Sequence, residues 1–574
     1  MKEIAAERQY RLALQETASS TGYFTVVPQD RPSLEDCLAY LCGHPADSFM
    51  HAHVLDLVGK MEISAVERVL QSDAGRDPAV KALLLEAALI YEHLSGIKKR
   101  LHDRKLPIPA DHSPLIFLRS EGLADQALHR QWVRLFQDNI KRHRPLPPPQ
   151  KTGLAFPVKG VDGKEETLPA EAHLKAVIEC CRSQMDASDA PPRVPLTTTI
   201  ENAMARLEAL DIFEGPEMRH QSSLSPYALL RKWSFNHRVQ SGRLNYVLAG
   251  NQTSYGRGLT LETARASCLM EVAERYTAFA GVDETGIVGT RRARPLMHGS
   301  FAQLRAEGFP LLDPNHLSLE APYRDEPLYW IEGERLTAAG NPPIWVPAQC
   351  VFLFCNLDER SLFSGLGSTG LASGNTTAEA RLSALYEVLE RDGEAVNPYH
   401  PSRCFRIYSE DERLDALLTD YRARGIHLQF QDISPAFGIP GCTCFVTHLD
   451  GTVARGGGAN LDGKRAVLSA LTETPYPYPG GPPAAPPVPD LPWLQFETLP
   501  DFSSGIPEKD LLLVEKTLLA NGLSPIYVDI TSKDLDIPVV KALVPGLEMM
   551  ADFDPYSRIN PRLFNNYLKI HKKS

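Results

Sequence analysis

Two segments of almost the same sequence carry the side chains best suited to chemistry in this chain. They are the pentads Glu271-Val-Ala-Glu274-Arg275 and Glu387-Val-Leu-Glu390-Arg391. Each pentad places two carboxylates about one helical turn apart, so in a helix both point from the same face. Carboxylate oxygens are the ligands that hard cations such as Mg²⁺ prefer. The pentads therefore raise the question of why one chain needs the same pair of carboxylates twice.

Each pentad belongs to a longer acidic stripe. At about 100° per residue, the stripes cover arcs of roughly 60° and roughly 80° of their helices. The stripe members are Ser267, Glu271 and Glu274 in the first helix, and Glu379, Ser383, Glu387, Glu390 and Glu394 in the second. Apolar residues fill much of the rest of the second helix, which indicates that this helix is largely buried.

Two interpretations of the stripes are open. They are solvated faces supported by pairs such as Glu387–Arg391, or they line a metal site. A solvated face normally mixes the signs of its charges, whereas no lysine interrupts the second stripe. Carboxylates between apolar flanks need metal ions or arginines. Because Mg²⁺ binds a few carboxylates together with substrate phosphates, we favour one metal site shared by the two helices.

Glycine-rich segments precede both helices. SYGRGLT, with Arg257 between two glycines, leads into the first helix, and GLGSTGLASGNTT leads into the second. Such glycines let backbone N–H groups approach phosphate oxygens. The GxGxxG of residues 365–370 lacks the immediate helix of a dinucleotide-binding fold, and no GxxxxGK[ST] occurs. The sequence thus predicts a phosphate site of another kind.

The elements that must position these side chains lie in the second part of the chain. From about residue 195, short β-branched runs alternate with predicted helices at 261–280, 377–395, 411–424, 462–473 and 508–521. This alternation predicts a mixed α/β (α+β) domain over residues 191–574. The proline-rich segment 475–492 is predicted to cross the surface in extended form or to be a flexible loop.

Residues 1 to about 142 show helical periodicity and end at the proline cluster PLPPPQ. We predict a mainly α-helical N-terminal domain over residues 1–190 that docks a partner or substrate and does no chemistry. The pair His51-Ala-His53 does not favour a metal site, because side chains two residues apart on a helix face different ways.

The bulk composition limits the class of protein. The formal net charge of −11 argues against nucleic-acid or anionic-membrane binding. No apolar segment has the length of a membrane span or the pattern of a signal peptide. The ten cysteines show no zinc spacing, which favours reduced thiols in a cytoplasmic protein.

The sequence resembles the YcaO-domain family. The resemblance rests on Ser267-x-x-x-Glu271-x-x-Glu274-Arg275 and on Ser368-Thr-Gly370-x-Ala372-x-Gly374-Asn375, which continues to Glu379, Glu387 and Glu390-Arg391-Asp392. GGGANLDGKRAVLSALTE and IPVVKALVPGLE also look like this family, so the resemblance covers about residues 195–560.

The resemblance implies an ATP site between the two glutamate helices, with Mg²⁺ ions that bridge the phosphates. The metal ligands that it implies are Glu271, Glu379, Glu387 and Glu390. The residues that it implies at the nucleotide, or as orienting partners of the carboxylates, are Arg257, Ser267, Glu274, Arg275, Asn375, Glu379 and Arg391.

The implied reaction is ATP-dependent activation of a peptide or protein backbone amide. A nucleophile adds to the carbonyl carbon, the oxygen is phosphorylated, and loss of phosphate leaves an azoline or a thioamide. The implied partners are a peptide or protein substrate, a separate E1-like or TfuA-like protein, and a second copy of the chain in a homodimer. The chain ends in YLKIHKKS rather than in the Pro-x-Pro-x-Pro of many cyclodehydratases of the family, which argues against azoline formation.

Two other functions stay open from the sequence. One is an accessory role, like that of YcaO proteins linked to methylthiolation of ribosomal protein S12. The other is a nucleotide-binding scaffold without turnover, against which the presence of every glutamate in both signatures counts.

Overall fold

The computed structural model describes residues 7–15, 23–103, 110–164, 168–186, 189–549 and 553–572. The strands in this part of the chain are β1 (Arg8–Gln15), β2 (Tyr23–Pro28), β3 (Met218–Arg219), β4 (Tyr227–Ser241), β5 (Leu244–Gly258), β6 (Gly281–Asp283), β7 (Gly286–Val288), β8 (Met297–Gly299), β9 (Leu328–Arg335), β10 (Pro343–Pro347), β11 (Leu371–Ser373), β12 (Cys404–Tyr408), β13 (Gln429–Asp432), β14 (Gly441–Thr447), β15 (Val453–Ala459), β16 (Trp493–Gln495), β17 (Ile526–Asp529) and β18 (Val539–Leu543). The α-helices are α1 (Leu34–Gly43), α2 (Ser48–Gly59), α3 (Ile63–Gln71), α4 (Pro78–Ile90), α5 (Ser95–Asp103), α6 (Phe117–Glu121), α7 (Gln126–Arg142), α8 (Pro149–Thr152), α9 (Leu174–Asp186), α10 (Leu196–Ala209), α11 (Leu261–Ala278), α12 (Phe301–Ala306), α13 (Thr377–Val396), α14 (Glu412–Ala423), α15 (Gly463–Glu473), α16 (Pro507–Ala520) and α17 (Pro561–Lys572).

The strands form three sheets. The first has the order β2-β1-β5-β4-β6-β7, with β3 beside β4, and is built around the long hairpin β4–β5. The second has the order β10-β9-β17-β18-β11, with β8 beside β9, and the third has the order β15-β14-β13-β12-β16. Helices pack between and against these sheets, which confirms the predicted mixed α/β class.

All five helices predicted in the second part of the chain are present, with ends within two residues of the expected positions. They are α11, α13, α14, α15 and α16. The two glutamate helices α11 and α13 both pack against the short strand β11, and the Ser373 hydroxyl of β11 donates to the carbonyl of Met270 at 2.8 Å. Strand β11 therefore sets the distance between the two acidic stripes.

Glycines allow helices to lie unusually close to strands around the site. A Cβ on Gly256 would lie 2.0 Å from the carbonyl oxygen of Ala264, and a Cβ on Gly258 would lie 2.7 Å from Cβ of Thr263. Both glycines of the GRG segment thus serve the packing of α11 on β5. Our expectation that these two glycines let backbone N–H groups approach phosphate oxygens stays a prediction, because the helix occupies only the side on which a Cβ would lie.

The N-terminal region is mainly helical, as predicted, with one correction. Residues 8–15 and 23–28 were expected to be helical and are strands: β1 pairs with β5 in parallel and with β2 in antiparallel. The pattern in RQYRLALQ has a period of two, since Tyr10 and Leu12 are buried and Arg11 is exposed. Charged residues between small apolar ones were mistaken for a helical pattern.

The N-terminal helices share a hydrophobic core with the sheets. Buried residues of α1 to α5, such as Leu38 and Leu84, belong to one cluster with Trp233 of β4 and Val272 of α11. Strand β1 also adds directly to the first sheet. The domain boundary near residue 190 stays a prediction, and the described residues before it cover apolar surface of the sheet region.

The proline-rich segment 475–492 crosses the third sheet as an ordered strap. The Tyr476 side chain is fully buried and donates to the carbonyl of Pro482 at 2.5 Å, and the Tyr478 hydroxyl donates to Asp420 at 2.8 Å. These contacts favour the predicted extended crossing over a flexible loop. Among the described residues, no helix combines the length and apolarity needed to span a membrane.

Candidate functional site

Each glutamate helix begins at a threonine cap of the same kind. The Thr260 side chain accepts from the backbone N–H of Thr263 at 3.2 Å, and the Thr376 side chain accepts from that of Glu379 at 3.1 Å. Both caps are extended residues, which is the conformation that an N-cap requires. The first turn of each helix, and hence the orientation of its stripe, is fixed locally.

On α11, one arginine serves both carboxylates of the pentad. The guanidinium of Arg275 lies 3.7 Å from a carboxylate oxygen of Glu271 and 3.5 Å from one of Glu274. The second oxygen of Glu271 accepts from the backbone N–H of Tyr255 at 3.1 Å. Glu271 is thus held in place from two sides, and Glu274 by its ion pair with Arg275.

On α13, the arginine of the pentad is shared differently. The guanidinium of Arg391 donates to Glu394 at 3.0 Å and lies 3.4 Å from Oε1 of Glu390. Oε1 of Glu390 is buried and has no hydrogen bond. Glu387 accepts from the backbone N–H of Gly370 at 3.2 Å. A buried carboxylate oxygen without a hydrogen bond is costly, so this atom is suited to accept a cation.

Glycine also brings a strand against Glu390. A Cβ on Gly457 of β15 would lie 2.8 Å from both Cγ and Oε1 of Glu390. On the other face of the same strand, a Cβ on Gly456 would lie 2.5 Å from the backbone nitrogen of Thr474. The GGG segment therefore lets α13 and α15 approach β15 from opposite faces.

The first glutamate of the second stripe lies apart from the pentad. Glu387 lies eight positions after Glu379, which is about 12 Å along the helix. Glu379 accepts from the backbone N–H of Asn375 at 2.9 Å and from its side-chain amide at 2.8 Å, and pairs with Arg193 at 3.1 Å. A cavity of about 70 Å³ lies beside Asn375, and its lining includes Thr199, Asn202, Arg206, Met270 and Ile537.

The carboxylates of both helices share one electrostatic environment. Burial raises the pKa of Glu271, Glu387 and Glu390, and it raises the pKa of Glu274 to about 8 with a contribution from repulsion by Glu387. Repulsion between carboxylates of α11 and α13 means that the two stripes face a common space. Such a cluster favours the arrival of positive charge.

Two members of this cluster were missed from the sequence. Glu473, at the end of α15, repels Glu271, Glu387 and Glu390. Lys541 of β18 is buried, and burial lowers its pKa to about 8 against the attraction of Glu387. The sequence did carry a signal for Lys541. It is a lone lysine in the apolar run IPVVKALV, and an ionisable residue inside a buried strand needs a partner.

The remaining predicted residues lie around the cluster. Ser267 is exposed on α11, one turn before Glu271. Arg257 lies on β5, and its buried Nε has no hydrogen bond. Arg257 also attracts Glu271, so it lies within electrostatic reach of the site. Arg193, which contacts Glu379, lies outside the predicted set, and no motif marks it.

The donor set fits Mg²⁺ bound together with a phosphate ligand. In the described part of the chain, no three histidine, cysteine or acidic side chains are grouped tightly enough to hold a metal by themselves. Mg²⁺ usually takes one or two carboxylates and completes its shell with substrate phosphates and water. The unbonded oxygen of Glu390, with Glu387 and Glu271 nearby in the cluster, is compatible with that mode of binding.

A family profile described as "YcaO cyclodehydratase, ATP- and Mg²⁺-binding" matches residues 255–475 and 480–548, just over half of the chain. An uncharacterized protein of Methanothermobacter thermautotrophicus is 29% identical over 350 residues, 54% of this chain and 84% of that protein. An uncharacterized protein in the tfuA 3′ region of Rhizobium leguminosarum bv. trifolii is 28% identical over 236 residues, 38% of this chain and 53% of that protein.

Similar solved structures include a heterocyclase in complex with substrate and cofactor, with 19% identity and a TM-score of 0.49 over 63% of this chain and 54% of that chain. A second is the YcaO protein of Methanopyrus kandleri bound with AMPPCP and Mg²⁺, with 22% identity and a TM-score of 0.45 over 63% of this chain and 94% of that chain. The chain spans about half the length of the heterocyclase and of the Rhizobium relative.

Proposed function

Since the chain belongs to the YcaO family, whose cofactors are ATP and Mg²⁺, we propose that it activates a backbone amide of a peptide or protein by O-phosphorylation. The observation that carries this proposal is the buried, unbonded Oε1 of Glu390 inside an acidic cluster formed by two helices. Such a cluster needs bound cations, and Mg²⁺ with ATP phosphates supplies them.

The roles of the residues follow from their contacts. Glu271, Glu387 and Glu390 hold the metal. Glu379 contacts the metal-bound nucleotide at the other end of the site, where Asn375 and Arg193 lie. Bound Mg²⁺ and ATP supply the transferable phosphoryl group and the charge that neutralises the carboxylates.

Arg275 and Arg391 orient the carboxylates, since each guanidinium lies within 3.7 Å of two of them. Lys541 supplies a fixed positive charge beside Glu387 and Glu274. In phosphoryl transfer the protein mainly positions groups and stabilises charge, which is what this arrangement can do.

We propose a thioamide as the product and a TfuA-like protein as the partner. The relative from the tfuA 3′ region supports the partner, and a partner of this kind, rather than an E1-like protein, goes with a thioamide product. An E1-like partner would instead favour azoline formation.

The test is to combine the purified chain, Mg²⁺, ATP, a sulfur donor and a TfuA-like protein with a candidate peptide. Phosphate release together with replacement of one peptide oxygen by sulfur, read by mass spectrometry, supports the proposal. Loss of water from the peptide would indicate an azoline. Phosphate release with no change in any peptide would favour the accessory role in S12 methylthiolation, and absence of both would indicate a scaffold.

We further propose that the N-terminal region, residues 1–190, docks the partner or substrate. This region lies outside the residues that match the family, and its buried polar cluster is closed to ligands. In that cluster His51 bonds Glu86 at 2.5 Å, and both side chains are fully buried. Hydrogen exchange with and without the partner tests the proposal: protection confined to the sheet region would contradict it.

A further inference from the structure

An ion pair that the sequence did not suggest contacts the glutamate helix α13 on the side away from Glu390. Asp392 follows Glu390 by two residues and therefore points to the opposite side of the helix, about 200° away. Its two oxygens accept from the guanidinium of Arg562 at 2.7 and 2.5 Å, and one also accepts from the backbone N–H of Glu548 at 2.7 Å. The Asp392 side chain is only 4% exposed.

Arg562 lies on α17, which is anchored to the N-terminal region. Leu563, Phe564 and Tyr567 of α17 form a hydrophobic cluster with Trp132 and Phe136 of α7. Neither helix lies within the residues that match the family profile. The ion pair therefore connects the glutamate helix α13 to a platform of two helices, α7 and α17, that lie outside the matched residues.

The same platform holds the C-terminal end of α13. The Asn566 side chain of α17 donates to the carbonyl of Val396 at 2.9 Å. The Asn139 side chain of α7 exchanges two hydrogen bonds with the backbone of Tyr399, at 2.8 and 3.0 Å. His143, which follows α7, stacks on the Tyr399 ring at 3.7 Å. The platform thus contacts α13 at Asp392 and Val396, and it contacts the segment after the helix at Tyr399.

We propose that Arg562 is a positioning residue for the metal–nucleotide site. Through Asp392 it fixes the rotation of α13 about its axis, and this rotation decides where Glu387 and Glu390 point. A bidentate guanidinium–carboxylate pair is suited to this task because it constrains direction as well as distance. The inference rests on the assignment of Glu387 and Glu390 to the metal and is independent of the identity of the substrate.

The position of the ion pair distinguishes it from ordinary stabilising contacts. The apolar cluster between α7 and α17 already joins these helices without Arg562. The ion pair reaches α13 on the side opposite the unbonded oxygen of Glu390, so any rotation of the helix moves that oxygen directly. Partners that orient metal ligands indirectly typically change metal affinity or activity about 10- to 100-fold when they are removed.

The experiment compares Arg562→Gln with Arg562→Lys, with the double variant Asp392→Asn/Arg562→Gln, and with the control Arg558→Gln. Arg558 also joins the C-terminal segment to the N-terminal region, through Asp125 at 2.7 Å, but it does not contact α13. Calorimetry gives the affinity for AMPPCP as a function of Mg²⁺ concentration. Hydrogen exchange of residues 388–399 reports on the helix itself.

We expect Arg562→Gln to weaken Mg²⁺-dependent AMPPCP binding about tenfold and to speed exchange in residues 388–399. Arg562→Gln also leaves the buried Asp392 carboxylate without its ion pair, which should lower the melting temperature. The double variant removes that carboxylate, so it should recover the melting temperature without recovering the affinity. Arg562→Lys keeps the charge but loses the two parallel N–H donors of the guanidinium. It should fold normally and bind AMPPCP more weakly than the wild type. Arg558→Gln should bind within about twofold of the wild type.

Wild-type affinity and exchange in a folded Arg562→Gln protein would overturn the inference. If Arg562→Gln does not fold, wild-type affinity in Arg562→Lys and in the double variant would overturn it equally. A wild-type protein that binds AMPPCP without Mg²⁺ would instead contradict the proposed metal site, so failure of the two proposals is distinguishable.

Discussion

The two glutamate helices begin from nearly the same pentad and end in different surroundings. On α11, Arg275 lies between Glu271 and Glu274, and a backbone N–H of β5 holds Glu271 as well. On α13, Arg391 is drawn to Glu394, and Oε1 of Glu390 is left without a hydrogen bond. Similar local sequences therefore place their arginines differently, and Glu390 is the one pentad glutamate with a buried carboxylate oxygen that has no hydrogen bond.

The difference teaches which carboxylates depend most on a bound cation. Both pairs have an arginine of their own helix as countercharge, Arg275 on α11 and Arg391 on α13. Arg391 also serves Glu394, and Oε1 of Glu390 keeps no hydrogen bond, while Lys541 on β18 adds positive charge near Glu387. We infer that α13 contributes more binding energy for the metal than α11 does, and the following predictions test this inequality.

The largest expected effect is that of metal removal, because both helices present like charge to the nucleotide. With EDTA present, calorimetry should detect no binding of ATP, since a polyanion cannot enter an acidic cluster without cations. A control titration with excess Mg²⁺ should restore binding. Undiminished binding of metal-free ATP would show that neither helix forms part of a metal clamp.

Substitution of the paired carboxylates should show which of the two helices contributes more to ATP turnover. Glu387→Gln and Glu390→Gln should each lower ATP turnover by more than about 100-fold, because a metal ligand loses its charge. Glu274→Gln, at the position of the α11 pentad that corresponds to Glu390, should cost only about tenfold. Melting of the metal-free Gln variants should be unchanged or higher, because buried like charge is removed.

Equal losses of phosphate release in Glu274→Gln and Glu390→Gln would contradict the inequality between the helices. Wild-type phosphate release in Glu387→Gln or Glu390→Gln would mean that these residues are structural.

Loss of the buried lysine should have a smaller effect. Lys541→Met removes the positive charge beside Glu387 and should weaken Mg²⁺-dependent AMPPCP binding by roughly tenfold. Lys533→Met, at an exposed position in the preceding loop, is the control and should leave the affinity unchanged. Calorimetry at one Mg²⁺ concentration suffices for the comparison. Equal AMPPCP affinity in the two variants would show that Lys541 is not part of the site.

The smallest effect is expected at the glycines of β15. Gly457→Ala places a methyl group against the Glu390 carboxylate and should lower nucleotide affinity a few-fold with little change in melting. Gly456→Ala meets the backbone of α15 instead and should destabilise the fold by about 1–3 kcal/mol. Thermal melting and calorimetry on both variants separate the effects. A Gly457→Ala protein with normal affinity would show that the Glu390 side chain moves aside without cost.

Much of the site was accessible from sequence because its main features are local. The helical period and the threonine before each helix place Glu271, Glu387 and Glu390 on stripes without reference to the rest of the chain. The same local reasoning failed for β1, where a period-two pattern in a charged segment was mistaken for a helix. It also did not reveal that Gly256 and Gly258 make room for α11.

The sequence by itself determined the two acidic helices, their order and the sign of the charge that they must attract. Only the tertiary structure decided which carboxylate oxygen lacks a hydrogen bond and which distant residues join the same cluster, because pairing of charges acts through space. Lys541 and Glu473 reach the cluster from β18 and α15, and Arg562 reaches Asp392 across 170 residues of chain. Helical periodicity is fixed by neighbouring residues, whereas the partner of a buried charge is fixed by packing of the whole chain.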